Sequence, residues 1–475
     1  MTIVIMKFGG SCLVDDKAFN KIHEITKIYE KEKKVYVASA FNGITDLLLN
    51  TARNVSDEAL VDKNMALIEK KHLDVIEEIF EDTSPQYIQA KKWVDKILSE
   101  LDDAFEDIKE FGLEPYYVDY VSGFGEILST YILNEYLKSK DFDSVYIPAN
   151  KVIITNDNFN KAYPLYKLTN TRVRNKLIPL LEGMNKEFIF CVTGFIGRNK
   201  IGYTTTLGRG GSDYTATILA HSLHEVGKDK DIKVILWKDV DGLLAINPNY
   251  VPEASLIKYL DYREAKEIAN FGAKVLHPKC LEALEINKIP LEIRNFDKPL
   301  EEKNFTIISE KTDEDQIKGI STIEKATIIT ITSGSMVDVP GVLAKIFKIM
   351  GKNDISVSLV SQSASEISTS FVVKEEDEEK ARNALDMSIE FKEFFRIHFE
   401  QVAIINITGT RVLKNKTKAM IFTALDKQHI HVKALSQSSE ELNLSLVINQ
   451  DQLLDAIKVI HTDLCEDFGE IKCDD

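Results

Sequence analysis

The sequence predicts an α/β protein that ends in a duplicated α+β region, on three observations. Apolar runs rich in Val and Ile alternate with helix-period segments through residues 1–305. A charged, glycine-poor stretch at about 57–110 interrupts that alternation with helical pattern alone. Beyond residue 316 the chain repeats itself at a gapless offset of 75 residues.

Taken in order, residues 2–8 are Ile- and Val-rich, as a buried strand requires. They stop at Gly9-Gly10, and a helical stripe through Phe19, Ile22, Ile25 and Ile28 follows. A second strand, Val35–Ala40, leads through Asn42-Gly43 into another helix, which favours a parallel sheet covered on both faces. Residues 57–110 read as a helical insertion. The rhythm then resumes with strands expected at Tyr116–Val121, Val145–Ala149, Phe188–Thr193 and Val234–Trp237, and with Leu291–Asn295 as the last strand of the domain. Glu310–Lys318 is a polar linker. After it, Ser361-Gln362-Ser363 recurs as Ser436-Gln437-Ser438, and Gly334, Ala344, Phe347, Ile355, Val357, Ser370 and Phe371 map onto Gly409, Ala419, Phe422, Ile430, Val432, Ser445 and Leu446. Each copy, 316–398 and 399–475, reads as a ferredoxin-like βαββαβ unit. Such paired units suit a small-molecule sensor or a structural spacer.

With 59 basic against 75 acidic residues the formal charge is −16. That excludes nucleic acid or an anionic membrane as main partner, so an anionic substrate needs a local positive pocket. Cys12, Cys191, Cys280, Cys465 and Cys473 show no CxxC spacing, which points to reduced thiols and a cytoplasmic protein. The apolar run in MTIVIMKFGG is too short for a signal peptide, and no stretch reaches the length of a membrane span.

The most informative stretch is Gly202–Ala216, GYTTTLGRGGSDYTA. Its glycines let backbone N–H groups approach a ligand, and Arg209 and Asp213 supply the two charges that an amino acid's carboxylate and ammonium need. Ser212 or Asp213 is placed to cap the helix that follows. Lys7, at the end of the first strand and just before Gly9-Gly10-Ser11, suits an incoming polyphosphate. The Asp467–Gly469 tripeptide DFG has no HRD or VAIK partner, so a protein-kinase site is excluded. His429 and His431 alternate across an expected strand with no third metal ligand. Cys12, at a helix start, is either a thiol of lowered pKa or a small buried residue.

KFGGS at Lys7–Ser11, SAFNGIT at Ser39–Thr45, the Gly123–Glu126 turn GFGE, GFIG at Gly194–Gly197, TTTLGRGGSDYTA, and FGAKVLHP at Phe271–Pro278 together resemble the aspartate kinase family. The resemblance spans the chain and implies the amino acid kinase fold, a three-layer αβα sandwich, followed by two ACT regulatory units. It implies transfer of phosphate from ATP with Mg²⁺ to the β-carboxylate of L-aspartate, the first step toward lysine, threonine and methionine. Lys7 and Asp213 are its catalytic residues, and Ser39, Ala40, Thr45, Glu126, Arg209 and Asp213 surround aspartate. Lys7, Gly9, Gly10, Ser11, Lys238, Asp239, Leu244, Asn249 and Lys274 border the nucleotide. An amino-acid effector, lysine or threonine, is expected at Met336, Asp338, Val339, Gly341, Val342, Leu343, Val357, Ser358 and Gln362, in a homo-oligomer joined through the ACT units.

The chain departs from the family where WTDVxGxYTTDPR has become WKDVDGLLAINPNYV, Trp237–Val251. Lys238 stands for a threonine, Leu244 for a tyrosine, Asn247 for an aspartate and Asn249 for an arginine. A non-catalytic effector-binding protein with a decayed nucleotide site is therefore an alternative, as is another amino acid kinase. Lys238 can replace a lost positive charge, which favours ATP use. No nicotinamide-binding GxGxxG follows the ACT region, which speaks against a fused homoserine dehydrogenase.

Overall fold

The computed structural model describes residues 2–183, 188–227, 231–270, 275–301, 303–310, 315–333, 341–365, 367–388, 395–437 and 442–464. The chain divides into two compact units. One comprises Met1–Leu243, Lys258–Tyr262 and Lys274–Thr312; the other takes in Leu244–Ile257, Arg263–Ala273 and Asp313 onward.

In the first unit the order begins β1 (Thr2–Phe8), α1 (Asp16–Ile28), β2 (Lys33–Ala38) and α2 (Ile44–Arg53). Then come α3 (Glu58–Ile79), α4 (Pro85–Phe111), α5 (Pro115–Ser122), α6 (Phe124–Ser139), β3 (Ser144–Ile147) and α7 (Tyr166–Gly183). β4 (Ile189–Thr193), β5 (Ile196–Arg198), β6 (Thr204–Thr206), α8 (Gly211–Val226) and β7 (Asp231–Lys238) follow. β8 (Tyr259–Asp261), α9 (Tyr262–Asn270, assigned to the second unit from Arg263), α10 (Lys279–Asn287), β9 (Leu291–Asn295) and β10 (Thr306–Ser309) complete this part of the chain. Eight strands form one sheet in the order β3-β4-β2-β1-β7-β9-β10-β8, parallel except where β10 meets β9.

Strand pleating gives this sheet two buried faces. Val4, Met6, Phe8, Tyr36, Ala38, Cys191, Ile235 and Trp237 share a core with α1, α3, α4 and α6, while the intervening residues turn toward α8. Caps fix where the helices start: the Asp15 carboxylate accepts from Ala18 N at 2.8 Å, and Ser84 accepts from Tyr87 N ahead of Pro85. The expected insertion is the α3–α4 pair, which buries Ile68, Val75, Val94, Leu101 and Phe105 in the main core.

Two expectations are corrected here. Tyr116–Val121 is helical, not a strand: Pro115 occupies the first helical position, where its missing N–H costs nothing, and burial of Asp119 and Val121 overrides the β preference of the tyrosines and valines. Leu291–Asn295 is β9 as read, but β10 follows it and closes onto β8.

The second unit continues with β11 (Gly319–Thr332), α11 (Val342–Lys352), β12 (Val357–Gln362), β13 (Ser368–Lys374), α12 (Glu378–Asp386) and β14 (Arg396–Thr408). It ends with α13 (Asn415–Lys427), β15 (Ala434–Ser436), β16 (Asn443–Asn449) and α14 (Leu453–Leu464). The repeat is visible in the backbone, since Asp354 and His429 occupy equivalent turns with φ of 51° and 56°. His429 therefore sits in a left-handed turn after α13 and His431 lies before β15, outside any strand. The copies do not follow one another at 398/399. That boundary falls inside β14, whose first half pairs with the second half of β11 beside β13, and whose second half pairs with the first half of β11 beside β16. An irregularity between Ile323 and Ala326 marks the crossover, and the sheet runs β12-β13-β11-β14-β16-β15.

Candidate active site

β1 is flanked by the parallel strands β2 and β7, whose connections leave in opposite directions across the sheet. Outside the carboxyl ends of such strands the backbone opens a crevice. Lys7, near the end of β1, is held there by its neighbour Phe8, which packs edge-on against Tyr36 at 5.1 Å and Phe296 at 6.2 Å.

The Lys7 ammonium lies 2.9 Å from Asp213 Oδ1, and Lys238 Nζ donates to Asp213 Oδ2 at 2.7 Å. Lys7 and Asp213 are buried, and Lys238 is partly so. Burial alone raises the pKa of Asp213, but the two ammonium charges overcome it and hold the carboxyl below its ordinary value. Burial likewise works to lower the pKa of Lys7, and Asp213 reverses the balance to a raised value. The trio thus carries net charge +1, fixed at the mouth of the sheet. Where the sequence reading expects Asp213 to meet a substrate ammonium, its two oxygens face lysine ammoniums in this structure.

Glu126 is the opposite case. Gly125 allows α6 to close on the loop after β2, where a Cβ would stand 2.6 Å from that of Ala40. The Glu126 carboxylate is buried there with backbone hydrogen bonds from the Ala40 amide and its own, and Oε2 has no partner. Burial pushes its pKa up to about 8, against the smaller pull of the Ala40 and Glu126 amides and of Lys7. An unpaired buried carboxylate oxygen is costly by itself and is satisfied by an arriving cation.

The remaining predicted residues frame these groups. Ser39 N donates to Phe8 O at 3.1 Å, and Ser129 Oγ donates to Ser39 O at 2.7 Å, fixing the loop after β2 against the end of β1 and against α6. Thr45 is half-buried in the first turn of α2. Gly9 lies under Lys7, Gly10 opens a single 3₁₀ turn, and Ser11 within it is exposed. Arg209 is exposed on the loop before α8. The helix cap is Gly210 at φ 72°, not Ser212 or Asp213, which lie inside α8. Cys12 is buried with its Sγ 3.8 Å from Trp237 O, and burial pushes the thiol up to about 11, so it is the inert alternative.

On the nucleotide side Lys238 joins the trio and Asp239 is exposed just beyond β7. Leu244 and Asn249 belong to the second unit, where Leu244 bridges to Leu256 and Asn249 N donates to Asn247 Oδ1. Lys274 lies outside the described residues, as do Met336, Asp338 and Val339. Of the other effector residues, Gly341 caps α11, Val342, Leu343 and Val357 pack into one apolar cluster, and Ser358 and Gln362 are exposed on β12.

Two residues without an assigned role also shape the site. His277 packs against Gly210, and burial together with Lys279 and Arg209 lowers its pKa. Asp119 is buried and binds the strand that leads into the Arg209 loop.

Residues 2–295 match the amino acid kinase family. The chain belongs to that family. Within this amino acid kinase, 329–388 and 405–464 each match the ACT domain, on either side of the β14 crossover. Lysine-sensitive aspartokinase 3 of Escherichia coli is 27% identical over 98% of this chain and 99% of its own length. A bifunctional aspartokinase/homoserine dehydrogenase of Buchnera aphidicola is 29% identical over 97% of this chain. The chain spans 56% of that longer relative. The crystal structure of E. coli aspartokinase III in complex with aspartate and ADP superposes with a TM-score of 0.81 at 26% identity, covering 98% of this chain and 100% of that one. The expected fold is the one found: an αβα sandwich of the amino acid kinase type followed by ACT domains.

Proposed function

We infer that this amino acid kinase is an aspartate kinase, transferring the γ-phosphoryl group of ATP to the β-carboxylate of L-aspartate to give L-4-aspartyl phosphate and ADP. The carrying observation is the pairing of an orphaned, buried Glu126 with the cationic Lys7–Asp213–Lys238 trio. An α-amino acid with a second carboxylate answers both. Its ammonium satisfies Glu126, Arg209 takes the α-carboxylate through its guanidinium fork, and the β-carboxylate is directed toward the phosphate.

The β-carboxylate is ionised at neutral pH, since a free aspartate side chain has a pKa of about 3.9, so the nucleophile requires no general base. Its oxygen bonds to the γ-phosphorus as the bond to the β,γ-bridging oxygen breaks, and ADP carries away that electron pair. The barrier lies in bringing an anion to an anion, and the two lysines lower it by offsetting phosphate charge from positions fixed at the end of the sheet. Asp213 keeps both ammoniums in place. Mg²⁺, which takes most of its oxygens from nucleotide phosphates, neutralises further charge when bound, and exposed Asp239 is a carboxylate available to it beside β7.

An ACT region with a lysine-sensitive relative supports feedback control by an amino-acid effector, with lysine the first to test and threonine the second. A homo-oligomer joined through this region is supported by the edge strands β12 and β15, which expose Val360 and Leu435. Buried, free Cys12, Cys191 and Cys280 support a cytoplasmic location, and no helix among the described residues is long and apolar enough to cross a membrane.

Incubation with MgATP and aspartate is expected to yield an acyl phosphate trapped by hydroxylamine, with slower turnover of glutamate and inhibition by lysine or threonine. Product no greater than that of a Lys7→Ala control overturns the assignment. Tight effector binding without ATP binding would instead establish the non-catalytic alternative.

A further inference from the structure

We propose that Asp119 is a positioning residue for aspartate recognition, setting the Gly208–Gly211 loop so that Arg209 meets the substrate's α-carboxylate. Asp119 lies on α5 and is fully buried. Its carboxylate accepts four hydrogen bonds, all from two other segments of the chain. Thr206 N donates to Oδ2 at 2.8 Å and Thr206 Oγ1 to Oδ1 at 2.8 Å. Asn160 N is shared between the two oxygens at 2.9 and 3.0 Å.

Both partners adjoin the loop. Thr206 is the last residue of β6, three positions before Arg209. Asn160, at φ 65°, presents its carbonyl to Gly208, where a Cβ would stand only 3.0 Å from that oxygen and where φ is 78°. Ala162 N donates to Thr206 O at 2.9 Å, and Leu207 N donates to Phe195 O at 2.9 Å. One carboxylate therefore fastens the 156–163 segment to the end of β6, and those two pieces bound the space in which Gly208 turns. Arg209 has no ion-pair partner of its own among the described contacts, so the backbone beneath it is what aims it.

Only an ionised carboxylate fits this role. Both backbone partners are N–H donors, and the Thr206 hydroxyl donates as well, so an amide at position 119 would turn its NH₂ toward at least one of them. Burial raises the Asp119 pKa, while the Asn160 and Thr206 hydrogen bonds oppose that shift. Displacing a guanidinium that grips a carboxylate by about 1 Å costs up to about a hundredfold in rate. The effect falls on the substrate that Arg209 holds and spares the nucleotide, which approaches Lys7 and Lys238.

This inference rests on the assignment of Arg209 to aspartate, so the test runs Asp119→Asn, Thr206→Val and Arg209→Ala together in the full-length chain. Steady-state kinetics should show KM for aspartate raised roughly tenfold in Asp119→Asn, with KM for MgATP changed less than about twofold. Thr206→Val, which deletes one hydroxyl, should shift KM for aspartate in the same direction by a smaller factor, and Thr206→Ser should restore it. If Asp119→Asn fails to fold, the Thr206 pair carries the test. An unshifted aspartate KM in Thr206→Val and Asp119→Asn, or equal losses for both substrates, overturns the positioning role. An unshifted aspartate KM in Arg209→Ala overturns instead the reading of the site on which it stands.

Discussion

Asp213 and Glu126 are both buried acids at the same end of the sheet, yet their environments are opposite. Asp213 is met by two lysines and kept ionised; Glu126 has one oxygen without a partner and is pushed to about 8. The first acid is spent inside the protein as a fixed counter-charge. The second is left incomplete, and an incomplete buried group marks where a ligand completes the structure. Proximity to the catalytic loop does not distinguish these roles; the count of partners does.

The sharpest way to break this comparison is to remove a partner from the satisfied acid. Lys7→Ala should reduce turnover by about a thousandfold, because it deletes a cation aimed at the transferring phosphate and leaves Asp213 to Lys238 alone. Coupled ADP release measures it. The complementary change, Glu126→Gln, should raise KM for aspartate roughly 10- to 100-fold, the value of a hydrogen bond to a charged group. It should also stabilise the unliganded protein at alkaline pH. Glu126 binds its proton more tightly folded than unfolded, so its contribution falls as pH rises from about 4.5 toward about 8, and the neutral amide escapes that loss. Thermal denaturation at pH 6 and at pH 9 separates the variants: a Tm gain present at pH 6 and larger at pH 9 is expected, and equal effects at both would contradict the protonation argument.

Titrating the native protein gives a smaller effect of the same origin. Between pH 7 and pH 9 the ionised fraction of Glu126 rises by about tenfold, so KM for aspartate should fall across that interval. A flat profile that persists in Glu126→Gln would assign the ammonium to another group. The mildest change is Lys238→Thr, restoring the residue usual in the family. It leaves the Lys7–Asp213 pair intact, and because Lys238 is only partly buried, KM for MgATP should rise by about fivefold or less.

Legibility in the sequence followed the range of the interaction. Lys7 before a glycine pair and Arg209 among glycines are local signals, and they sit at the carboxyl end of β1 and on the loop ahead of α8, as read. The Lys238–Asp213 pair is a product of β7 lying beside β1 in register, which no local pattern announces. Asp119 was hidden by the residues around it, since Tyr-Tyr-Val-Asp-Tyr-Val carries strand preference and only Pro115 signals the helix. The offset of 75 revealed two equivalent ACT copies without revealing their pairing. An offset reports which residues are equivalent, whereas the exchange of strand halves is decided by which edges find partners.

That exchange has a consequence for anyone who would separate the two copies. Cutting the chain near 398 removes the half of β14 that pairs with Gly319–Ile323, stripping that segment of its neighbour and baring a row of backbone donors and acceptors. The copies are thus two ends of one woven band: neither can be swapped for a homologous cassette at a single splice point, and a chimera must exchange the whole span from β11 to β16.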